Sequence, residues 1–153
     1  MARMKNIARI LALVLVLCAV LVPLSSCKEK SVKGFCTVVI ATEPEQSYKV
    51  NLDKVDPANR GLISVLDYLA KNEKDFKYAE QAGFLSEVQT LKNDAAAGVY
   101  IYLYTSVEKD QDVSEYKAEK EYNGTKLISS GVGADQMHME DGAIIYIGTI
   151  SWS

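Results

Sequence analysis

From Val99 to Ser106 aliphatic and tyrosine side chains alternate, with Val99, Ile101 and Leu103 on one parity and Tyr100, Tyr102 and Tyr104 on the other. In a β-strand, residues i, i+2 and i+4 share a face. The run therefore predicts a strand with aliphatics toward a core and three tyrosines on the opposite face. An amphipathic helix is ruled out, because its apolar positions would recur at i, i+3 and i+4. Such a strand needs partners, and the rest of the chain supplies them. Phe35–Thr42 is rich in β-formers. Tyr48, Val50 and Leu52 alternate with Lys49, Asn51 and Asp53, and the polar turn Glu43–Gln46 links the two runs as an antiparallel hairpin. Ala143–Ile150, rich in Ile and carrying Tyr146, reads as the last strand.

One segment has helical spacing. Leu62, Val65, Leu66 and Leu69 fall at i, i+3, i+4 and i+7, and Lys71 and Lys74 stand near the end, where cations suit the helix dipole. The helix is expected from Leu62 to Lys74. Tyr78–Leu91 is less regular and is expected to hold one short strand at Gly83–Val88. Asn93–Gly98 reads as a loop, and the charged stretch Val107–Glu121 as an exposed connection. Asn123-Gly124 signals a tight turn, and Gly131–Ala134 and Glu140–Gly142 are bends. The order is strand, strand, helix, short strand, strand, long loop, strand. It predicts an α+β fold, a mixed sheet packed on one main helix.

The N-terminus carries a different signal. Arg3, Lys5 and Arg9 precede an uninterrupted apolar run, Ile10–Val22, followed by Pro23 and Leu24-Ser25-Ser26-Cys27. A basic start, a short apolar stretch and small residues before a cut site define a secretory signal. The run is shorter than the roughly 20 residues a spanning helix needs. Leu-Ser-Ser-Cys resembles the lipobox of bacterial lipoproteins, in which the Cys thiol receives a diacylglyceryl group and the chain is cut just before it. That resemblance implies a signal peptide over 1–26, lipid on Cys27, a tether over 27–34 and a domain over 35–153. It implies a protein held at the extracytoplasmic face of the cell membrane.

Charge and cysteine content agree with that division. Removing the first 26 of 153 residues leaves 127, enough for one domain with one core. Losing Arg3, Lys5 and Arg9 with no acidic residue takes the net charge from −3 to −6. An acidic chain without a basic cluster is a poor partner for nucleic acid, and lipid rather than charge must hold it at a membrane. Cys18 lies in the signal and Cys27 takes lipid, so only Cys36 remains. Set in the strand-like Phe35–Ile40, it reads as a small buried hydrophobe.

Several stretches together resemble a bacterial domain family of unassigned function, related to the C-terminal domain of transcobalamin and intrinsic factor. Gly61–Leu69 is similar to its glycine-led first helix, and Gly83–Val88 to the short strand that follows. Tyr100–Ser106 resembles its central aromatic strand, with Tyr where many members carry Trp. Gly133–Gly142 resembles its closing glycine-alanine to Asp-Gly segment. The resemblance covers about Cys36 to Ile150. It implies a β-grasp fold and a non-catalytic binding role, with a cobalamin-like ring compound as the implied ligand.

No catalytic motif accompanies this pattern. His138 is the only histidine, and no neighbouring nucleophile makes it a catalytic base; it is expected at the surface or on an edge strand. A nucleophile elbow, a phosphate loop and a metal-spaced His/Cys set are all missing, so neither cofactor nor enzymatic activity is expected. The pairs Glu140/Asp141 and Asp110/Asp112 read as solvated turn charges. The candidate binding residues are Tyr100, Tyr102 and Tyr104, with Tyr122 extending them, because tyrosine joins a broad apolar ring to a polar handle. Their occupant is expected to be a small ring-containing ligand or, alternatively, a surface protein in an interaction or adhesion role.

Overall fold

Strand β1 (Phe35–Ile40) runs antiparallel to β2 (Gln46–Asn51), from Phe35 opposite Asn51 to Ile40 opposite Gln46. This hairpin is the one expected from the alternation. The structure, a computed structural model, describes residues 32–55 and 60–152. The signal segment, Cys27, most of the tether and part of the loop before the helix lie outside the described residues. Helix α1 (Leu62–Asn72) follows, then β3 (Tyr78–Gln81), β4 (Phe84–Val88), β5 (Leu91–Lys92), β6 (Val99–Thr105), β7 (Glu119–Tyr122), β8 (Thr125–Ser129) and β9 (Ile144–Ser151). The main sheet has the order β2-β1-β9-β6-β8-β7; β3, β4 and β5 form a small second sheet. Strands β1 and β9 are parallel, Thr37 opposite Ile144, and every other pairing is antiparallel. This is a mixed α+β fold.

The alternation along each strand decides what it faces. Cys36, Val38 and Ile40 of β1 and Ile145 and Ile147 of β9 point to one side, where they meet Leu62, Ile63, Val65, Leu66 and Leu69 of α1. Ile101 and Leu103 of β6 pack against the same core. Full burial of one such side chain stabilises by roughly 1.5–3 kcal/mol, so this layer carries most of the fold. The Cys36 thiol lies within it at 1% exposure, and burial pushes its pKa up to about 11. It is a packed hydrophobe with little thiolate character.

Three expectations need correction. The helix ends at Asn72, two residues early; Glu73 is already extended and caps it by donating its N–H to the Leu69 carbonyl. Tyr78–Leu91 contains a hairpin plus a third short strand instead of one strand. Gly83 belongs to its turn, where Ala82 and Gly83 both have positive φ, so β4 starts at Phe84. The charged connection after Val107 is only partly exposed. It begins with a 3-10 turn, Glu108–Asp110, in which Asp110 is buried, and it ends in β7. Strand β7 reads Glu-Lys-Glu-Tyr, and charged residues are what an edge strand carries, so no apolar alternation announced it. The Asn123-Gly124 turn is present, with φ of 48° and 77°, and closes the β7–β8 hairpin.

Candidate functional site

The sheet face away from α1 carries the tyrosines. Strand register sets their neighbours: Tyr104 lies opposite Tyr146, Tyr102 opposite Gly148, and Tyr100 opposite Ile150. The pairing continues one step past β9, where the Trp152 N–H donates to the Gly98 carbonyl at 3.0 Å. Alternation along β9 then places Tyr146, Gly148, Ile150 and Trp152 on the tyrosine face. The rings form a ladder, with Tyr102 edge-to-face on Tyr104 at 5.4 Å and Tyr104 edge-to-face on Tyr146 at 6.3 Å between centroids. Such aromatic pairs add roughly 0.5–1.5 kcal/mol beyond their buried area.

The two ends of this ladder differ. At one end the sheet curls until its outer strands meet. Tyr122 on β7 donates its hydroxyl to Ser47 Oγ on β2 at 3.3 Å, although four strands separate β7 from β2 in the sheet order. Beneath that curl Val39, Leu127 and Tyr146 form a second buried cluster, flanked by Tyr104, Tyr122, Ala41 and Ile144. The Lys120 ammonium sits 4.3 Å from the Tyr146 ring centroid. Burial, then a hydrogen bond donated to Glu45 Oε2 at 3.0 Å, push the Tyr146 phenol up to about 12. Burial also raises the Tyr104 phenol, with Tyr102 adding to it. At the other end nothing among the described residues caps the ladder. Tyr100 is 40% exposed and Trp152 62%, with the half-buried Tyr102 and Ile150 beside them. Of the four expected tyrosines, Tyr100 and Tyr102 thus stand at the open end, while Tyr104 and Tyr122 belong to the covered end.

No protein-family model matches the chain, and no curated protein matches it. Among solved structures, a candidate metal-binding protein from Ruminococcus gnavus is similar at a TM-score of 0.48, with 14% identity over 79% of this chain and 100% of its own. Haptocorrin, solved in complex with Cbi, is similar at 0.49, with 12% identity over 81% of this chain. The chain spans 26% of the haptocorrin chain. What those proteins bind is theirs; the surface of this chain has to speak for itself.

The glycine-bearing stretches meet at a second place, and the reason is steric. The Leu62 N–H at the start of α1 donates to the Ala134 carbonyl at 2.8 Å, and the Ala134 N–H donates to the Gly83 carbonyl at 3.0 Å. A Cβ on Gly61 would lie 2.5 Å from the Met137 carbonyl oxygen. Three backbones touch here and leave no room for a ligand. The junction fixes the helix start, which has no side-chain cap.

Asp110 and His138 make a third feature. Asp110, 1% exposed, accepts the His138 backbone N–H at 2.6 Å on one oxygen and stands 2.5 Å from His138 Nδ1 with the other. Its own carbonyl accepts the Gly131 N–H. Asp110 therefore ties the β6–β7 connection to the β8–β9 connection and is a buried acceptor, not a solvated turn charge. His138 lies in a loop, not on an edge strand, with its side chain 56% exposed. Asp112 behaves as a turn former, accepting the Ser114 N–H and hydroxyl. An open groove of about 670 Å³ beside this region is lined by Ser106, Val107, Glu108, Lys109 and Glu140, with Lys109 and Glu140 paired across it at 3.3 Å. Among the described residues no group of three or more His, Cys, Asp or Glu is placed to hold a metal ion.

Sequence reasoning missed Trp152 and Tyr146 as members of the aromatic face. The signal was available: Tyr146, Gly148, Ile150 and Trp152 alternate as Tyr100, Tyr102 and Tyr104 do.

Proposed function

We propose that this chain is a lipid-anchored extracytoplasmic protein whose domain is a non-catalytic binding module for a small ring-containing ligand, of which a cobalamin-like compound is the leading case. The observation that carries the binding reading is the open aromatic end of the outer face: Tyr100, Tyr102 and Ile150 on adjacent strands and Trp152 just past the end of β9, with nothing among the described residues packed over Tyr100 and Trp152. Aromatic rings held on a rigid sheet offer stacking area at low entropic cost, and an exposed apolar patch of this kind marks a binding surface. The arrangement β2-β1-β9-β6, with β1 and β9 parallel at the centre and one helix on one face, supports a β-grasp assignment. Leu24-Ser25-Ser26-Cys27 supports lipid attachment at Cys27, since two acyl chains hold a protein stably where one does not.

The binding test is the melting temperature of the soluble chain from Ser31 onward, with and without excess cobalamin and a corrinoid panel. A ligand at a hundredfold excess over its Kd stabilises by about 2.7 kcal/mol, a shift of several degrees for a domain of this size. No shift with any corrinoid removes the ring-ligand reading. The anchor test is fractionation of a Cys27→Ser variant, expected to leave the membrane fraction. A second reading, a protein partner, is favoured by Val113 and Tyr116, 94% and 79% exposed on the charged connection and far more open than apolar residues without a partner need be. Retention of a specific surface protein by the soluble domain, with no effect of corrinoids, selects it.

A further inference from the structure

We propose that the β7–β8 hairpin is a movable flap, and that the ligand face continues beneath it through Tyr104 and Tyr146. The flap's position and chemistry come from the structure; the ring compound it would close on rests on the binding reading above. Three observations carry it. The hairpin joins the main sheet through only two residue pairs, Tyr104 with Ser129 and Thr105 with Ile128, whereas β9 joins β6 through seven. Its tip is held to the far edge of the sheet by one solvent-facing hydrogen bond, Tyr122 to Ser47 at 3.3 Å, and its Lys120 rests on the Tyr146 ring. The surface it covers is aromatic and continuous with the exposed surface, because Tyr102, in edge contact with Tyr104, links the open rings to the covered ones.

Closed, the hairpin buries Leu127 against Val39 and Tyr146 and leaves Tyr100, Tyr102 and Trp152 outside. Swung out about its base, where buried Ser129 is bonded to Asp112 and Ala118 and Ser130 donates its N–H to the Leu103 carbonyl, it would expose one aromatic surface running from Trp152 to Tyr146. A flat ring could then be held between that surface and the returning hairpin. The polar groups freed by the movement, the Tyr122 hydroxyl and the Lys120 ammonium, are the ones positioned to meet polar substituents at the rim of such a ring. The ligand class is a planar or macrocyclic compound with hydrogen-bond acceptors at its edge.

Hydrogen exchange on the intact chain tests the movement without any ligand. Amides of residues 119–129 are expected to exchange about 100-fold faster than those of residues 144–151, as a locally opening unit does. Ser47→Ala, which lies on β2 and removes only the tip bond, should speed residues 119–129 further and leave 144–151 unchanged. Tetranitromethane should then nitrate Tyr104 and Tyr146 faster in Ser47→Ala than in the native chain. Equal exchange in the two segments, or no response to Ser47→Ala, would show a hairpin fixed in one core and overturn the proposal. Cobalamin is the probe for closure. If the hairpin opens yet cobalamin does not slow its exchange, the flap stands and the corrinoid reading falls.

Discussion

The two faces of the main sheet are built from the same strands and do different work. The inner face presents Cys36, Val38, Ile40, Ile145 and Ile147 to a helix that buries five aliphatic side chains against them. The outer face presents Val39, Tyr104 and Tyr146 to a charged hairpin and leaves Tyr100 exposed beyond it. An aliphatic surface meeting an aliphatic helix closes with no polar group to satisfy. On the tyrosine surface the hydroxyls of Tyr146 and Tyr122 meet Glu45 and Ser47 under the hairpin, while Tyr100 lies exposed at the other end. One alternating strand thus builds the core on one side and, on the binding reading proposed above, offers a recognition surface on the other.

The largest expected effect probes the inner face. Leu66, fully buried, should cost about 3 kcal/mol on substitution by Ala, because a cavity remains where the helix cannot collapse. Chemical denaturation measures it. Leu127→Ala, equally buried but beneath the hairpin, should cost less than half as much, because the hairpin settles into the space. Equal losses would erase the contrast between the faces. Next in size is Asp110→Ala, expected to cost about 2 kcal/mol by leaving the His138 backbone N–H and imidazole without their acceptor. Calorimetric unfolding checks it, and a loss within 0.5 kcal/mol, roughly the surface-substitution range, would show that the two loops hold without that carboxylate.

The outer face should also show itself in alkali. The folded Tyr146 phenol is raised from 10.0 to about 12, so the folded state favours its neutral form. Its stabilisation is fully present below the unfolded value and is lost as pH rises from about 10 to about 12, by up to about 2 kcal/mol. Denaturation midpoints across that window should fall, and Tyr146→Phe should flatten the fall while costing about 1 kcal/mol at neutral pH. A native-like slope in Tyr146→Phe would assign the effect to other tyrosines.

The inner face was largely legible in the sequence. The alternation over 99–106 and 48–52, and the spacing of Leu62, Val65, Leu66 and Leu69, are local patterns that burial imposes, and they gave β6, β2 and α1. The outer face was legible only in part. Tyr100, Tyr102 and Tyr104 stood out, but their division into open and covered ends depends on the Tyr122–Ser47 contact, which spans 75 positions of sequence. Strands β3, β5, β7 and β8 escaped notice: polar and charged residues dominate β3 and β7, β5 is two residues long, and β8 has only Leu127 and Ile128 as apolar residues, too few for periodicity to register. Asp110 escaped for a related reason. An aspartate between Lys109 and Gln111 looks solvated until the loop carrying His138 folds over it.

The smallest expected effect on stability belongs to the residue on which most of the proposed function rests. Tyr100→Ala should change stability by about 0.5 kcal/mol or less, as exposed substitutions do, yet abolish ligand response. Trp152 is the only tryptophan in the chain and is exposed just past β9, its N–H bonded to Gly98 two residues before Tyr100, so its emission reports on that end of the sheet. The decisive measurement is therefore Trp152 fluorescence, corrected for absorbance, as cobalamin and a corrinoid panel are titrated into native and Tyr100→Ala chains. Saturable quenching in the native chain, lost in Tyr100→Ala at an unchanged melting temperature, is the predicted result. An unresponsive native chain, or quenching that survives in Tyr100→Ala, would contradict the assignment of the open aromatic end as the binding site.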